Sequence, residues 1–96
     1  MADAVDNFEW DDDKAAANLE KHGLAFDLIS DLDWERAFTA EDLRFDYRET
    51  RFVTIGPIND RLCVAVWTWR GDACRIISLR KANSREEKLY GEKIED

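Results

Sequence analysis

Apolar positions along this chain change their period once, near Arg51. Upstream, "DDDKAAANLEKHG" (residues 11–23) reads as a helix. Asp11, Asp12 and Asp13 supply the N-cap and first-turn acids, and three alanines favour the helical backbone. Lys21 and His22 sit in the last turn, and Gly23 suits the left-handed position just past it. "LAFDLISDLDWERAF" repeats Leu24, Leu28, Leu32 and Phe26, Ile29 at helical spacing, which predicts a second helix. "NFEW" before the first helix fits a short extended start, and "TAEDLRFDYRET" fits a strand with a loop. From Arg51 the period becomes two. "RFVTIGPI", "RLCVAVWTW" and "ACRIISLR" read as three strands joined by "ND" and "GD" turns, and "NSREEKLYGEK" as a closing helix capped by Asn83 or Ser84, with Glu86 or Glu87 in its first turn.

Two-residue hairpins set a register. Ile58 faces Arg61, Thr54 faces Ala65 and Phe52 faces Trp67; in the second hairpin Arg70 faces Ala73, Trp69 faces Cys74, Trp67 faces Ile76 and Cys63 faces Arg80. Alternation then sorts the side chains. One side collects Val53, Ile55, Leu62, Val64, Val66, Ile77 and Leu79, and is expected to lie under the helices. The other mixes Phe52, Thr54, Cys63, Ala65, Trp67, Trp69, Cys74, Ile76, Ser78 and Arg80, and is expected to be left open for binding. The reading is an α+β domain spanning 1–96, with an antiparallel sheet of three to five strands and with 1–7 and 92–96 flexible.

Composition adds bounds. Ninety-six residues, 45% hydrophobic and 11% aromatic, suffice for one modest core. No apolar run is long enough to span a membrane, and the acidic start "MADAVDNFEWDDD" is unlike a signal peptide, so a cytoplasmic location is expected. Cys63 and Cys74 fit no zinc spacing. The hairpin register separates them by about six positions, roughly 20 Å, which excludes a disulfide between them. The "DDD" run falls where helix capping accounts for it, so no metal site is read from it, and no cofactor is expected.

The formal charge of −8 is unevenly spread. Residues 1–43 hold 13 acids and 3 bases, whereas residues 44–90 hold 6 acids and 10 bases. "CRIISLRKANSREEKLY" alone packs five cations into seventeen positions, which points to one wall of an anion site, with RNA as the ligand. Arg80 is the candidate phosphate clamp, since a guanidinium binds phosphate oxygens two at a time, and Lys81 adjoins it. Arg70 and Arg75 flank the "GD" turn and extend the track; Arg51, oriented by Glu49, and Arg85 add to it. Trp67 and Trp69 are candidates for stacking on bases or for covering by a protein partner. His22 has the side chain whose ordinary pKa suits proton transfer near neutrality, although a helix C-terminus alone also favours a histidine there.

"FEWDDDKAAANLEKHGLAF", "RFVTIG" and "WRGDACRIISLRKANSREEKLY" together resemble the BrnT family of bacterial type II toxins. The resemblance runs from about Phe8 to Tyr90 and rests on combined spacings: Trp10-Asp11, Lys14, Asn18 and Lys21-His22-Gly23, then Arg75 to Ser78, Arg80-Lys81-Ala82, Arg85-Glu86 and Tyr90. It implies a RelE-like fold, RNA cleavage that inhibits translation, and neutralisation by a BrnA-like antitoxin of the ribbon–helix–helix DNA-binding type, with which the toxin represses its own promoter. It also implies a catalytic role for Tyr90, because RelE-like toxins pair a strand arginine with a helical tyrosine. The alternative is an interaction module that binds an antitoxin without cleaving RNA.

Overall fold

Three alternating stretches build the centre of a five-stranded sheet. The computed structural model describes residues 7–44 and 48–94. In chain order these form β1 (Phe8–Glu9), α1 (Asp12–His22), two 3-10 segments (Phe26–Asp31 and Trp34–Arg36), β2 (Phe38–Glu41), β3 (Phe52–Ile58), β4 (Arg61–Arg70), β5 (Ala73–Lys81) and α2 (Ser84–Ile94). The sheet order is β1-β5-β4-β3-β2. The α+β class is as expected, but the sheet is mixed rather than antiparallel, because β1 lies parallel along the edge of β5.

Helix α1 starts and stops as its sequence predicts. The Asp11 carboxylate accepts from the Lys14 N–H at 3.0 Å, and Gly23 adopts φ 75° with its N–H bonded to the Leu19 carbonyl. The expected second helix is replaced by the two 3-10 segments. The reason lies in which apolar residues the core takes. Phe26, Ile29 and Leu32 are all buried, three residues apart, and a three-residue turn stacks Phe26 over Ile29 while Leu32 follows in extended backbone. Asp33 then donates its N–H to the Pro57 carbonyl, pinning the segment against β3. Gly56 permits this approach: a Cβ there would stand 2.7 Å from the Ala37 Cβ.

Both hairpins turn as read, through Asn59 (φ 56°) and Gly71 (φ 61°). The β3–β4 register matches throughout, and the β4–β5 register matches from Arg70↔Ala73 to Trp67↔Ile76. There it slips. Val66 pairs with Ser78, Ala65 with Leu79, Val64 with Arg80 and Cys63 with Lys81, so Cys63 does not face Arg80 as expected. The extra residue in β5 is Ile77. A bulge of this kind reverses the parity of everything beyond it.

The main core lies on the other sheet face from the one expected, although Ile55 and Val64 of the aliphatic face are buried as well. The mixed face lies under α1 and the 3-10 segments, where Cys63, Ala65, Trp67, Cys74 and Ile76 join Leu24, Phe26, Ile29 and Leu32 in the core; the bulge adds Leu79 to them. Trp67 is 6% exposed and packs against Phe52, Trp34 and Trp69. Its polar atom is satisfied: the indole N–H donates to Thr54 Oγ1 at 2.8 Å, and that hydroxyl also bonds Thr39 Oγ1. With the Trp67 and Thr54 polar groups paired internally, the aromatic face can be covered without stranding them.

Asn18 joins the layers. Past the end of β1, its side-chain amide donates to the Leu79 carbonyl (2.8 Å) and the Leu24 carbonyl (3.1 Å) and accepts from the Leu79 N–H (3.1 Å). It thus stands in for a missing strand at the sheet edge. On the opposite face α2 packs near β2 and β3. Asn83 and Glu86 cap it reciprocally, each side chain accepting the other's backbone N–H at 2.9 Å. Glu86 also receives both terminal nitrogens of Arg80, at 2.8 and 2.6 Å.

Of the stretches expected to be flexible, 1–6 and 95–96 lie outside the described residues. Asn7 bonds Asp72 and Cys74, and residues 92–94 continue α2. Both cysteines are free and buried, and burial pushes the Cys74 thiol up to about 12.

Asn18→Ala is expected to lower stability by about 2–3 kcal/mol, because it strands the buried Leu79 N–H and carbonyl; denaturant titration checks this. Glu86 supplies a pH signature. The Arg80 hydrogen bonds, aided by the Asn83 N–H, hold its carboxyl below the ordinary 4.5. Its stabilising contribution is complete above that value and is lost as pH falls through the lower folded value. Thermal melts of the wild type should therefore decline below pH 4.5 by more than those of Glu86→Gln, which keeps the cap but cannot ionise.

Candidate functional site

The bulge at Ile77 decides where the cations stand. Val64 pairs with Arg80 and Thr68 with Arg75, and Arg70 shares the face of Thr68. Arg70, Arg75 and Arg80 thus project from the sheet face opposite the core. Arg51 joins them, since Arg51 and Arg70 share Glu49, at 3.4 and 3.5 Å. All four strand-region arginines singled out in the sequence therefore lie on one face. The half-buried Val53, Val66 and Ser78 form its floor, and α2 forms one wall.

Every one of these guanidinium groups meets a carboxylate. Arg75 pairs with Glu9 at 2.8 Å, Arg80 with Glu86, and Arg51 and Arg70 with Glu49. Arg44, in the loop after β2, is held by the buried Asp42 at 2.9 Å. It stands close enough to disfavour charge on Arg80 and to favour the ionised form of Glu86. The hydrogen bonds Arg80 donates to Glu86 nonetheless hold it above its ordinary value. Between about a quarter and a half of the Arg51, Arg70, Arg75 and Arg80 side chains remains exposed, so an anion can still reach them.

The other candidates divide into two groups. Tyr90 lies one turn beyond Glu86 on α2; its hydroxyl donates to the Arg36 carbonyl, and it lines an open cleft of about 390 Å³ with Arg36, Arg61 and Glu87, a lining that does not include Arg80. Arg85 is exposed on the first turn of the same helix. Lys81 and His22 are elsewhere. The bulge turns Lys81 toward Cys63, whose thiol burial pushes up while Arg61 and Lys81 oppose that shift. His22, half-buried in the last turn of α1, is on the layer across the sheet from Arg80.

The tryptophans are separated from the arginines by the sheet. Trp67 is a core residue with no free ring face, which corrects its expected place on a binding surface. Trp69 lies at the rim of the core side and is 48% exposed.

The sequence pattern did not single out Asp42 and Arg44, nor Glu9 as the partner of Arg75. The only local signal was the charge alternation "ED-LR", which does not say what a loop will reach. Among the described residues, no three His, Cys, Asp or Glu side chains cluster as a metal would require, and no helix is long and apolar enough to cross a membrane.

Comparison with curated proteins gave no match. A family model described as "Ribonuclease toxin, BrnT, of type II toxin-antitoxin system" matches residues 10–86, the stretch from Trp10 to the Arg80–Glu86 pair. That span takes in α1, the whole of the sheet beyond β1, and the face on which the arginines converge, so this chain belongs to the BrnT family of ribonuclease toxins of type II toxin–antitoxin systems.

Proposed function

We propose that this chain is itself an endoribonuclease that cleaves RNA without a metal ion and so inhibits translation in the cytoplasm. The observation that carries the reading is the convergence of Arg51, Arg70, Arg75 and Arg80 on one open sheet face in a member of a ribonuclease toxin family. In metal-free cleavage the 2′-oxygen attacks the adjacent phosphorus and loses its proton, while the 5′-oxygen leaves and gains one. The products are a 2′,3′-cyclic phosphate and a 5′-hydroxyl, and the accumulated charge on phosphorus must be stabilised. Arg80 serves as the clamp, Arg75, Arg70 and Arg51 track the flanking phosphates, and Arg85 extends the track along α2. Tyr90, one turn beyond Glu86 on α2, is the candidate for moving a proton; Lys81 and His22 are the alternatives, approached from the other face. A base stacks on Trp69 at the rim. A BrnA-like antitoxin of the ribbon–helix–helix type neutralises the toxin, and the pair represses its own promoter, with DNA contacted only through the antitoxin. The RelE-like fold is part of the same reading.

One observation favours the second reading, an antitoxin-binding module with little cleavage: Glu86 already fills the fork of Arg80. The two readings make different predictions for purified protein incubated with RNA in EDTA. On the first, the wild type releases fragments ending in a 2′,3′-cyclic phosphate. Arg80→Ala then loses about 10²-fold in rate, the typical cost of removing one charge-stabilising donor. Tyr90→Phe loses at least about tenfold. Glu86→Gln, which frees the guanidinium while keeping the cap, cleaves as fast as the wild type or faster. Equal cleavage by wild type and Arg80→Ala, as a contaminating nuclease would give, or no cleavage without added metal, would overturn the first reading.

A further inference from the structure

The layer that covers the core is the electrostatic opposite of the arginine face. Residues 10–35 carry eight carboxylates against the two ammonium groups of Lys14 and Lys21. Asp12, Asp13, Glu20, Asp27 and Asp31 are all exposed. Within this layer an apolar groove of about 240 Å³ runs between α1 and the first 3-10 segment, lined by Trp10, Ala16, Leu19, Ala25 and Phe26, with Asp27 at its edge. Leu19, a large apolar side chain, is 49% exposed.

Helix geometry sorts the charges around the groove. At 100° per residue, Asp12, Ala16, Leu19 and Glu20 fall on the flank of α1 beside it, whereas Lys14 and Lys21 fall on the far flank. Ala16 adds little bulk there, so another backbone can approach closely. The groove therefore offers an apolar slot bordered by anions on the helix side and by Asp27 opposite, with the helix's own cations turned away. Its complement is a segment with a large apolar side chain next to lysines or arginines.

We propose that this groove is the docking site of the antitoxin, and that the antitoxin occupies it with a cationic amphipathic helix. The apolar anchor of that helix packs on Trp10 and Leu19, and its cations meet Asp12, Glu20 and Asp27. The proposal rests on the toxin–antitoxin reading for its partner but not on RNA cleavage. The groove lies across the sheet from Arg80, so docking and cleavage are separable by mutation.

The test is calorimetric titration of purified BrnA-type antitoxin into the full chain. Leu19→Lys is expected to weaken binding at least tenfold, as loss of an interface anchor does. The pair Glu20→Lys and Asp27→Lys is expected to weaken it about tenfold at low salt and to flatten the salt dependence. Both positions are exposed, and an unchanged melting temperature confirms that the variants are folded. Arg75→Ala should bind like the wild type. The proposal is overturned if the groove variants bind within twofold of the wild type, if Arg75→Ala loses binding instead, or if the wild type does not bind the antitoxin. RNA cleavage in EDTA by the same samples is the independent readout. A cleaving wild type whose groove variants still bind sinks the docking site alone; a non-cleaving wild type whose groove variants lose binding sinks the ribonuclease reading alone.

Discussion

One extra residue in β5 organises this molecule. With Ile77 inserted, the strand presents Ile76 and Leu79 to the same core, three residues apart instead of two, and Arg80 leaves that core for the opposite face. An uninterrupted strand would have put a guanidinium among Trp67, Ala65 and Cys63, where desolvation of an unpaired charge costs several kcal/mol. The bulge is stabilised from both sides. Asn18 satisfies the backbone of Leu79 at the edge of the sheet, and Glu86 holds Arg80 once it has turned outward. Burial of Leu79 and exposure of Arg80 are therefore one event.

The acidity of the chain has a structural sense in this light. Glu9, Asp42, Glu49 and Glu86 come from four different parts of the sequence, and each holds an arginine of the open face or its neighbour Arg44. Exposed pairs of this kind add little stability, on the order of 0.2–1 kcal/mol each. Their larger effect is to fix the direction of long, flexible side chains and to lower the field of a row of like charges. A polyanion arriving at this face meets oriented guanidinium groups but has to compete with the carboxylates already there. Asp12, Asp13, Glu20, Asp27 and Asp31 are exposed on the far layer, which gives the two sides of the sheet different charge.

That polarity is what lets the proposed RNA site and the proposed antitoxin site coexist on one small domain. The arginine face and the acidic groove are built from different elements and separated by the core. Trp67 and the rings around it, which the alternation pattern alone offered to a ligand, are instead the packing that keeps the two surfaces apart.

What was legible in the sequence was local. The caps of α1 and α2, both two-residue turns, the strands and their register as far as Trp67 follow from side-chain alternation, turn chemistry and capping among residues a few positions apart. So did the identities of the strand arginines, and the spacings that carry the family resemblance. The second helix was misread because the Leu24 to Leu32 repeat is compatible with more than one helical period, and the choice falls to how the segment docks on β3. The covered face of the sheet was misread because alternation defines two faces without ranking them. That ranking depends on what packs above. Which arginines share a surface, and with which acids, was decided by contacts such as Glu9 with Arg75 and Asn18 with Leu79, more than sixty residues apart. A pattern of local period carries no information about those pairs, because they form only when separate elements close on one core.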